Sequence, residues 1–354
     1  MATSSTIGEL LELAVAEKAS DLHISVGQPP ILRISGDLVP LVKKKAFQGE
    51  DTDSMLMPLM NEEQQERLKK ERDVDFSYAF QEKSRFRVNI FYQRGTLSAA
   101  FRLISPTIRT VEELNLPMVI HEFAKATQGF VVLTGPSSHG KSTTLAAVID
   151  EINHTRSDHI ITIEDPIEYI FEDDKAVVDQ REIGQDALTF ASALRATFRQ
   201  DPDVIMVGEM RDAETMATAI TAAETGHLVF ATLHTNSASQ TIHRIVDSFA
   251  PEQQIQVRSQ LSTALLGVVS QRLLPRMKGG LIPACEVMLT TPAVANLIRE
   301  NKVHEIPLVI ETSGEAGMVS LDRSLANLVR DKEISLEHAL SYSLNPAELR
   351  NLVR

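Results

Sequence analysis

The pattern of apolar and polar positions changes once along the chain. Up to Ile104, apolar residues either recur at helical spacing or alternate strictly with polar ones. Ile7, Leu10, Leu11, Ala14 and Val15 share one face of a predicted first helix, and Thr6 with Glu9 is spaced as a capping box at its start. The stretch PPILRISGDLVPL reads as strand, turn, strand, and the charged run from Asn61 to Asp75 as a solvated helix and its exit. From Arg85 to Ile104 the alternation is strict. Phe86, Val88, Ile90 and Tyr92 point to one side, and Arg85, Arg87 and Asn89 to the other. A two-residue turn at Gly95-Thr96 predicts a hairpin that sets Arg102 opposite Asn89 and diagonal to Arg87, with Leu97, Ala99, Phe101 and Leu103 completing the apolar face.

Beyond Pro117 the runs become continuous: FVVL, HIITI, VIMV and HLVFATL, separated by helical patterns. Such runs predict a parallel sheet covered on both faces, hence an α/β domain. The proline-bracketed SPTIRTVEELNLP, Ser105 to Pro117, separates the two textures and reads as a linker. A length of 354 residues suits two domains, and 43% hydrophobic content gives each a core. The net charge of −13 weighs against a nucleic-acid partner. Cys285 is the single cysteine, so neither a disulfide within the chain nor a thiolate zinc site is expected. The N-terminus lacks the basic start of a signal peptide, and no apolar run approaches the roughly 20 residues that span a bilayer. A soluble cytosolic protein with no membrane span is expected.

The most informative stretch is TGPSSHGKSTT. The strand GFVVL runs into Gly135, Pro136, Ser137, Ser138, His139, Gly140, Lys141, Ser142 and Thr143, and a helical pattern follows through Leu145, Val148, Ile149 and Ile152. This is the strand–loop–helix setting that G-x-x-x-x-G-K-[ST] needs to cradle phosphate. The glycines let backbone N–H groups converge at a helix N-terminus, Lys141 reaches the β- and γ-phosphates, and the Ser142 hydroxyl ligates Mg²⁺. His139 adds bulk among phosphate-facing positions and is expected to turn outward. Carboxylates for Mg²⁺ and water stand at two predicted strand ends: Glu209 after VIMVG, and Glu164, Asp165 and Glu168 in IITIEDPIEYI. His227 and His234 flank the strand LVFATL, and position alone suits His234 to sensing a γ-phosphate. On one strand face, Arg87 and Arg102 form either a solvated polar surface or a phosphate clamp.

Four segments in this order, GPSSHGKSTT, IEDPIEY, RQDPDVIMVGEMRDAET and TGHLVFATLHTNSA, resemble the secretion ATPases that drive type IV pili and type II secretion. ASDLHISVGQPPILRISGD and QVRSQLSTALLGVVSQRLLP resemble the pilus retraction motors of that family. The resemblance covers nearly the whole chain. It implies a PAS-like α+β domain at 1–105, a linker at 106–117, a RecA-like P-loop ATPase core at 118–290 and a helical C-terminal region at 291–354. It implies a homohexamer that hydrolyses ATP with Mg²⁺ and works on an inner-membrane pilus platform protein, docked at the cytoplasmic face of that membrane. Paralogous pilus ATPases are further possible partners. By resemblance, Glu168 is the acidic-box glutamate that activates water, with Glu164 second. Glu209 is the Walker B glutamate at the metal, His227 and His234 form the histidine box, and Arg87 and Arg102 reach ATP phosphates.

Two departures stand out. The family loop usually reads GPTGSGKST, so Ser138 replaces a glycine and His139 a serine. Retraction motors tend to carry AIRNLIRE, and here AVANLIRE places Ala295 where the arginine stands. These changes motivate an alternative, an accessory and weakly hydrolysing paralogue acting with a true motor. A pilus extension or type II secretion ATPase is the other alternative, although the four-cysteine insertion many of those carry is absent. A DNA translocase and a small-molecule kinase fit the charge and domain pattern less well.

Overall fold

The structure is a computed structural model, and it describes residues 6–34, 36–81, 84–104 and 107–353. The chain divides into two units. One comprises Met1–Thr107 with Pro166–Ile170, the other Ile108–Asp165 with Phe171–Arg354.

The first unit is built on strands β1 (Asp21–Ile24), β2 (Ile31–Ile34), β3 (Asp37–Pro40), β4 (Asp73–Phe80), β5 (Ser84–Gln93) and β6 (Thr96–Ile104), with helices α1 (Ile7–Ala16), α2 (Gly49–Leu56) and α3 (Glu62–Glu71). The strands form one antiparallel sheet in the order β3-β2-β1-β6-β5-β4. Half of the predicted capping box stands at the α1 start, with the Glu9 N–H donating to Thr6 Oγ1 at 3.3 Å. Asn61 caps α3 through a reciprocal pair with Gln64. Phe86, Val88, Ile90, Leu97, Ala99 and Phe101 are buried against Leu10, Leu11 and Ala14 of α1 in one core. Each large side chain so removed from water contributes about 1.5–3 kcal/mol.

The hairpin register differs from the expectation. Arg94 and Gly95 form the turn, with Gln93 paired to Thr96, so Arg87 lies directly opposite Arg102 and Asn89 opposite Ala100. A two-residue turn that matches strand twist needs positive φ at both positions. Arg94 at +51° and Gly95 at +81° supply it. The shift is by two in pairing and therefore leaves every side chain on its predicted face.

The second unit carries β7 (Gly129–Thr134), β8 (His159–Glu164), β9 (Val177–Glu182), β10 (Val204–Val207), β11 (Leu228–Leu233), β12 (Leu265–Pro275) and β13 (Leu281–Leu289). Their order is β13-β12-β7-β11-β10-β8-β9, all parallel except the β12–β13 pair. Helix α4 (Ile120–Lys125) leads into β7, and α5 (Lys141–Thr155), α6 (Phe190–Thr197), α7 (Ala213–Glu224), α8 (Ala238–Asp247) and α9 (Pro251–Ala264) lie between successive strands. The continuous apolar runs form the buried strands: every residue of β7, β10 and β11 is buried, and in β8 all but His159. After β13 come α10 (Pro292–Arg299), α11 (Ile306–Thr312), α12 (Leu321–Arg330), α13 (Leu336–Tyr342) and α14 (Pro346–Val353). Val294, Ile298, Ile306 and Ile310 join the main core, whereas Leu321, Leu325, Ala339 and Leu349 close a smaller one over Leu274 and Ile282.

Of the proline-bracketed stretch, Ser105 and Pro106 lie outside the described residues. From Ile108 it belongs to the second unit, where Val111, Leu114 and Leu116 are buried.

Candidate active site

The parallel strands β7, β11, β10 and β8 are neighbours, and register sets Thr134 beside Leu233 and Val207 beside Ile163. Their carboxyl ends therefore share one edge of the sheet, the place where open α/β sheets hold ligands. Four sequence candidates leave from that edge. The glycine-rich loop follows β7, His234 follows β11, Glu209 stands two residues beyond β10, and Glu164 ends β8.

The loop has the backbone of a phosphate cradle. Gly135, Ser138 and Gly140 all have positive φ (+145°, +63° and +81°), and Gly140 is the residue before α5. A Cβ on Gly135 would lie 2.4 Å from the Gln271 carbonyl oxygen, so the strand β12 backbone closes that side of the loop. Lys141 is buried and folds back, its Nζ donating to the carbonyls of Gly135 at 2.8 Å and Pro136 at 2.9 Å. Ser142 and Thr143 open the α5 helix behind it.

His139 does not turn outward. It is half-buried on β12, where its Nδ1 accepts the Leu273 backbone N–H at 2.9 Å and its ring meets Tyr342 with centroids 6.4 Å apart. A backbone N–H at Nδ1 leaves the ring proton on Nε2. Burial, then the charges of Arg272 and Lys141, hold this imidazole below its ordinary pKa.

Sequence reasoning missed the polar run in β12. Ser270, Gln271 and Arg272 are buried in the middle of the apolar VVSQRLL, and buried polar groups in such a run need partners. Gln271 accepts from Thr144 Oγ1 at 2.8 Å and donates Nε2 to the His139 carbonyl at 2.8 Å. Arg272 donates to Asn236 O at 3.0 Å and Asn236 Oδ1 at 2.9 Å, with its own pKa lowered by burial. Thr134 accepts the Thr235 N–H at 2.9 Å. Together these contacts tie the loop to β12 and to the segment after β11. The signal was available: three consecutive polar residues inside a strand-length apolar run.

Glu209 is held from two sides, by His234 Nε2 at 3.2 Å and by Arg211 Nη2 at 2.9 Å. Glu164 is buried and accepts from Thr162 Oγ1 at 2.7 Å and Gln180 Nε2 at 3.1 Å. His227 does not join this group. It precedes β11, its carbonyl accepts the Gly129 N–H, and its ring packs edge-on against Phe198 with centroids 5.7 Å apart. Six residues of strand, about 20 Å, lie between it and the carboxyl edge.

The first unit holds a second cluster. Arg87 and Arg102 stand directly opposite each other, and carboxylates flank both. Arg102 Nε donates to Asp21 at 3.0 Å; Arg87 lies 3.9 Å from Asp75 and 3.8 Å from Glu168. Glu168 belongs to this unit through the segment Pro166–Ile170. Two adjacent guanidiniums repel, and this distribution of carboxylates offsets that repulsion.

A family model of type II/IV secretion system proteins matches residues 3–335. The type IV pilus retractation ATPase PilT of Pseudomonas aeruginosa is 46% identical over 333 residues, covering 94% of this chain and 96% of its own length. The type IV pilus ATPase PilU of the same organism is 40% identical over 347 residues, 98% of this chain and 91% of its own. The crystal structure of the pilus retraction motor PilT with bound ADP superposes with a TM-score of 0.91 at 46% identity, over 98% of this chain and 99% of that one. The cradle geometry, the carboxylates at the strand ends and these likenesses agree: the chain belongs to the type II/IV secretion system protein family and is one of its ATPases.

Proposed function

We propose that this protein is a homohexameric motor that hydrolyses ATP to retract type IV pili, working on an inner-membrane platform protein from the cytoplasmic face. The observation that carries the reading is the Gly135–Lys141 loop, whose positive-φ glycines and buried lysine have the form of a phosphate cradle closed on one side by β12, in a chain 46% identical to a pilus retractation ATPase. The domain reading goes with it: PAS-like at 1–105, a linker at 106–117, RecA-like at 118–290 and helical at 291–354.

The residues present fit Mg²⁺-ATP. Converging N–H groups of the loop and the α5 N-terminus suit phosphate oxygens. Lys141 supplies positive charge at the β- and γ-phosphates, and Ser142 with Glu209 would hold Mg²⁺, whose charge neutralises the phosphates. Thr143 continues the loop's first helical turn. Glu168 is assigned as the general base for water, with Glu164 second. The buried Glu164 already has two donors, which suits it to orienting rather than accepting a proton. His234 aligns Glu209 through their 3.2 Å contact. Arg87 and Arg102 are assigned to phosphate charge, a role worth roughly 10³–10⁵ in rate for a supplied arginine. His227 is assigned to the histidine box, at the end of β11 away from the loop.

The test is hydrolysis by the purified protein beside Lys141→Ala and Glu168→Gln, with mass measured in the same buffer. A six-subunit species that hydrolyses ATP, and variants at background, support the motor. A second reading, an accessory paralogue of weak activity, draws on Ser138 at φ +63° where the family has glycine and on Ala295. Wild type that binds ATP yet hydrolyses no faster than Lys141→Ala would favour it.

A further inference from the structure

The sheet leaves β12 with a gap that one side chain fills. β7 leaves the sheet at Thr134, whose partner on β12 is Ser270. Beyond that pair β12 runs on to Pro275 with β13 on its other side. The Leu273 N–H therefore has no strand acceptor on the β7 side, and a part-buried N–H without one is costly. His139 Nδ1 takes that place at 2.9 Å. The same residue's carbonyl accepts the Gln271 side chain at 2.8 Å. The loop is thus fastened to alternate residues of β12 through both the backbone and the ring of a single residue. Burial and the charges of Arg272 and Lys141 keep the ring neutral, which preserves the Nδ1 lone pair that the fastening uses. Tyr342 of α13 packs against the ring at a tilt, with centroids 6.4 Å apart.

We infer that His139 is a positioning residue that holds the phosphate loop in its nucleotide-binding shape by substituting for a strand acceptor at Leu273. The inference rests on the phosphate-site reading above. It gives the departure from the family's serine a purpose of its own. Ser138, in the left-handed region at φ +63°, is the residue next to the pin.

The acceptor's position makes the proposal testable with near-isosteres. Asparagine places Oδ1 where Nδ1 stands, glutamine moves its oxygen one bond further out, and leucine keeps bulk without an acceptor. Full-length protein is titrated with fluorescent mant-ADP, and amide exchange at Leu273 is followed without nucleotide. His139→Gln and His139→Leu should weaken binding about five- to tenfold and speed Leu273 exchange, while His139→Asn stays within about twofold of wild type on both. Thermal midpoints show whether each variant folds. If Gln and Leu match wild type, or Asn falls with them while folded, His139 does not position the loop. Lys141→Ala separates the two readings. Should it bind mant-ADP as wild type does, the phosphate-site assignment fails, while Leu273 exchange still decides whether the pin exists.

Discussion

Replacing Gly135 by alanine brings two separable costs. The first is conformational: at φ +145° a side chain adopts a backbone region that glycine alone enters freely, at about 1–3 kcal/mol. The second is steric. The new Cβ would sit 2.4 Å from the Gln271 carbonyl oxygen and 3.5 Å from Arg272 Nη1. The first is backbone in a central strand and cannot rotate aside, so β12 must move, an overpacking cost of about 1–3 kcal/mol. We expect a loss of about 3 kcal/mol, which in a unit of this size lowers the thermal midpoint by about 6–12 °C. Gly184→Ala isolates the first cost, because Gly184 has φ +86° with open space around its Cβ position. It should lose only about 1–2 kcal/mol. Thermal and urea unfolding of both variants, without nucleotide, measure the difference. Equal midpoints for the two would refute the argument that β12 closes the loop, and a Gly135→Ala midpoint within 2 °C of wild type would refute both terms.

Other consequences are as direct. Gln271→Ala removes the acceptor of Thr144 and the donor to the His139 carbonyl and should cost about 2 kcal/mol in urea unfolding. Cys285 is fully buried with its thiol pKa pushed up to about 12, so at pH 8 a thiol reagent should label it only at the rate of unfolding. His159 behaves opposite to His139. Burial alone would lower its pKa, but Asp179 at 3.0 Å and the Asp201 carbonyl raise it above 6.5. Its stabilisation is therefore present below pH 6.5 and lost as pH rises through the raised value. His159→Gln should lower the midpoint more at pH 6 than at pH 8.5. His139, held low, loses stability in the other direction, as pH falls below 6.5; a wild-type and His139→Asn pair melted at pH 7.5 and 5.5 should diverge only at the lower value.

Much of the site is local, and the local part is legible in the chain. A strand that runs into G-x-x-x-x-G-K-S and then a helix is legible because the glycine spacing and the change from strand to helical period lie within a few residues of each other. Periodicity likewise separates the alternating first unit from the buried parallel sheet. Glu209 and His234 could be placed at strand ends for the same reason. The errors have two sources, an unrecognised turn and a distant partner. The Arg87–Arg102 pairing was two residues off because the turn type depends on which residues accept positive φ, and Arg94 accepts it here. His139 was expected outward because its acceptor role exists only opposite Leu273, 134 residues away.

The alternating strands of the first unit, the buried parallel runs of the second and the phosphate-loop motif are legible along the chain. These follow from propensity, period and spacing within a few residues. Which distant groups meet is fixed only in three dimensions: Gln271 with the His139 carbonyl, Glu209 with His234, Glu168 beside Arg87. Those pairings depend on strand order and register. In a hairpin the turn sets the register, as Arg94 and Gly95 do here; between distant strands it follows from the burial of whole sheet faces, which no single stretch of chain encodes.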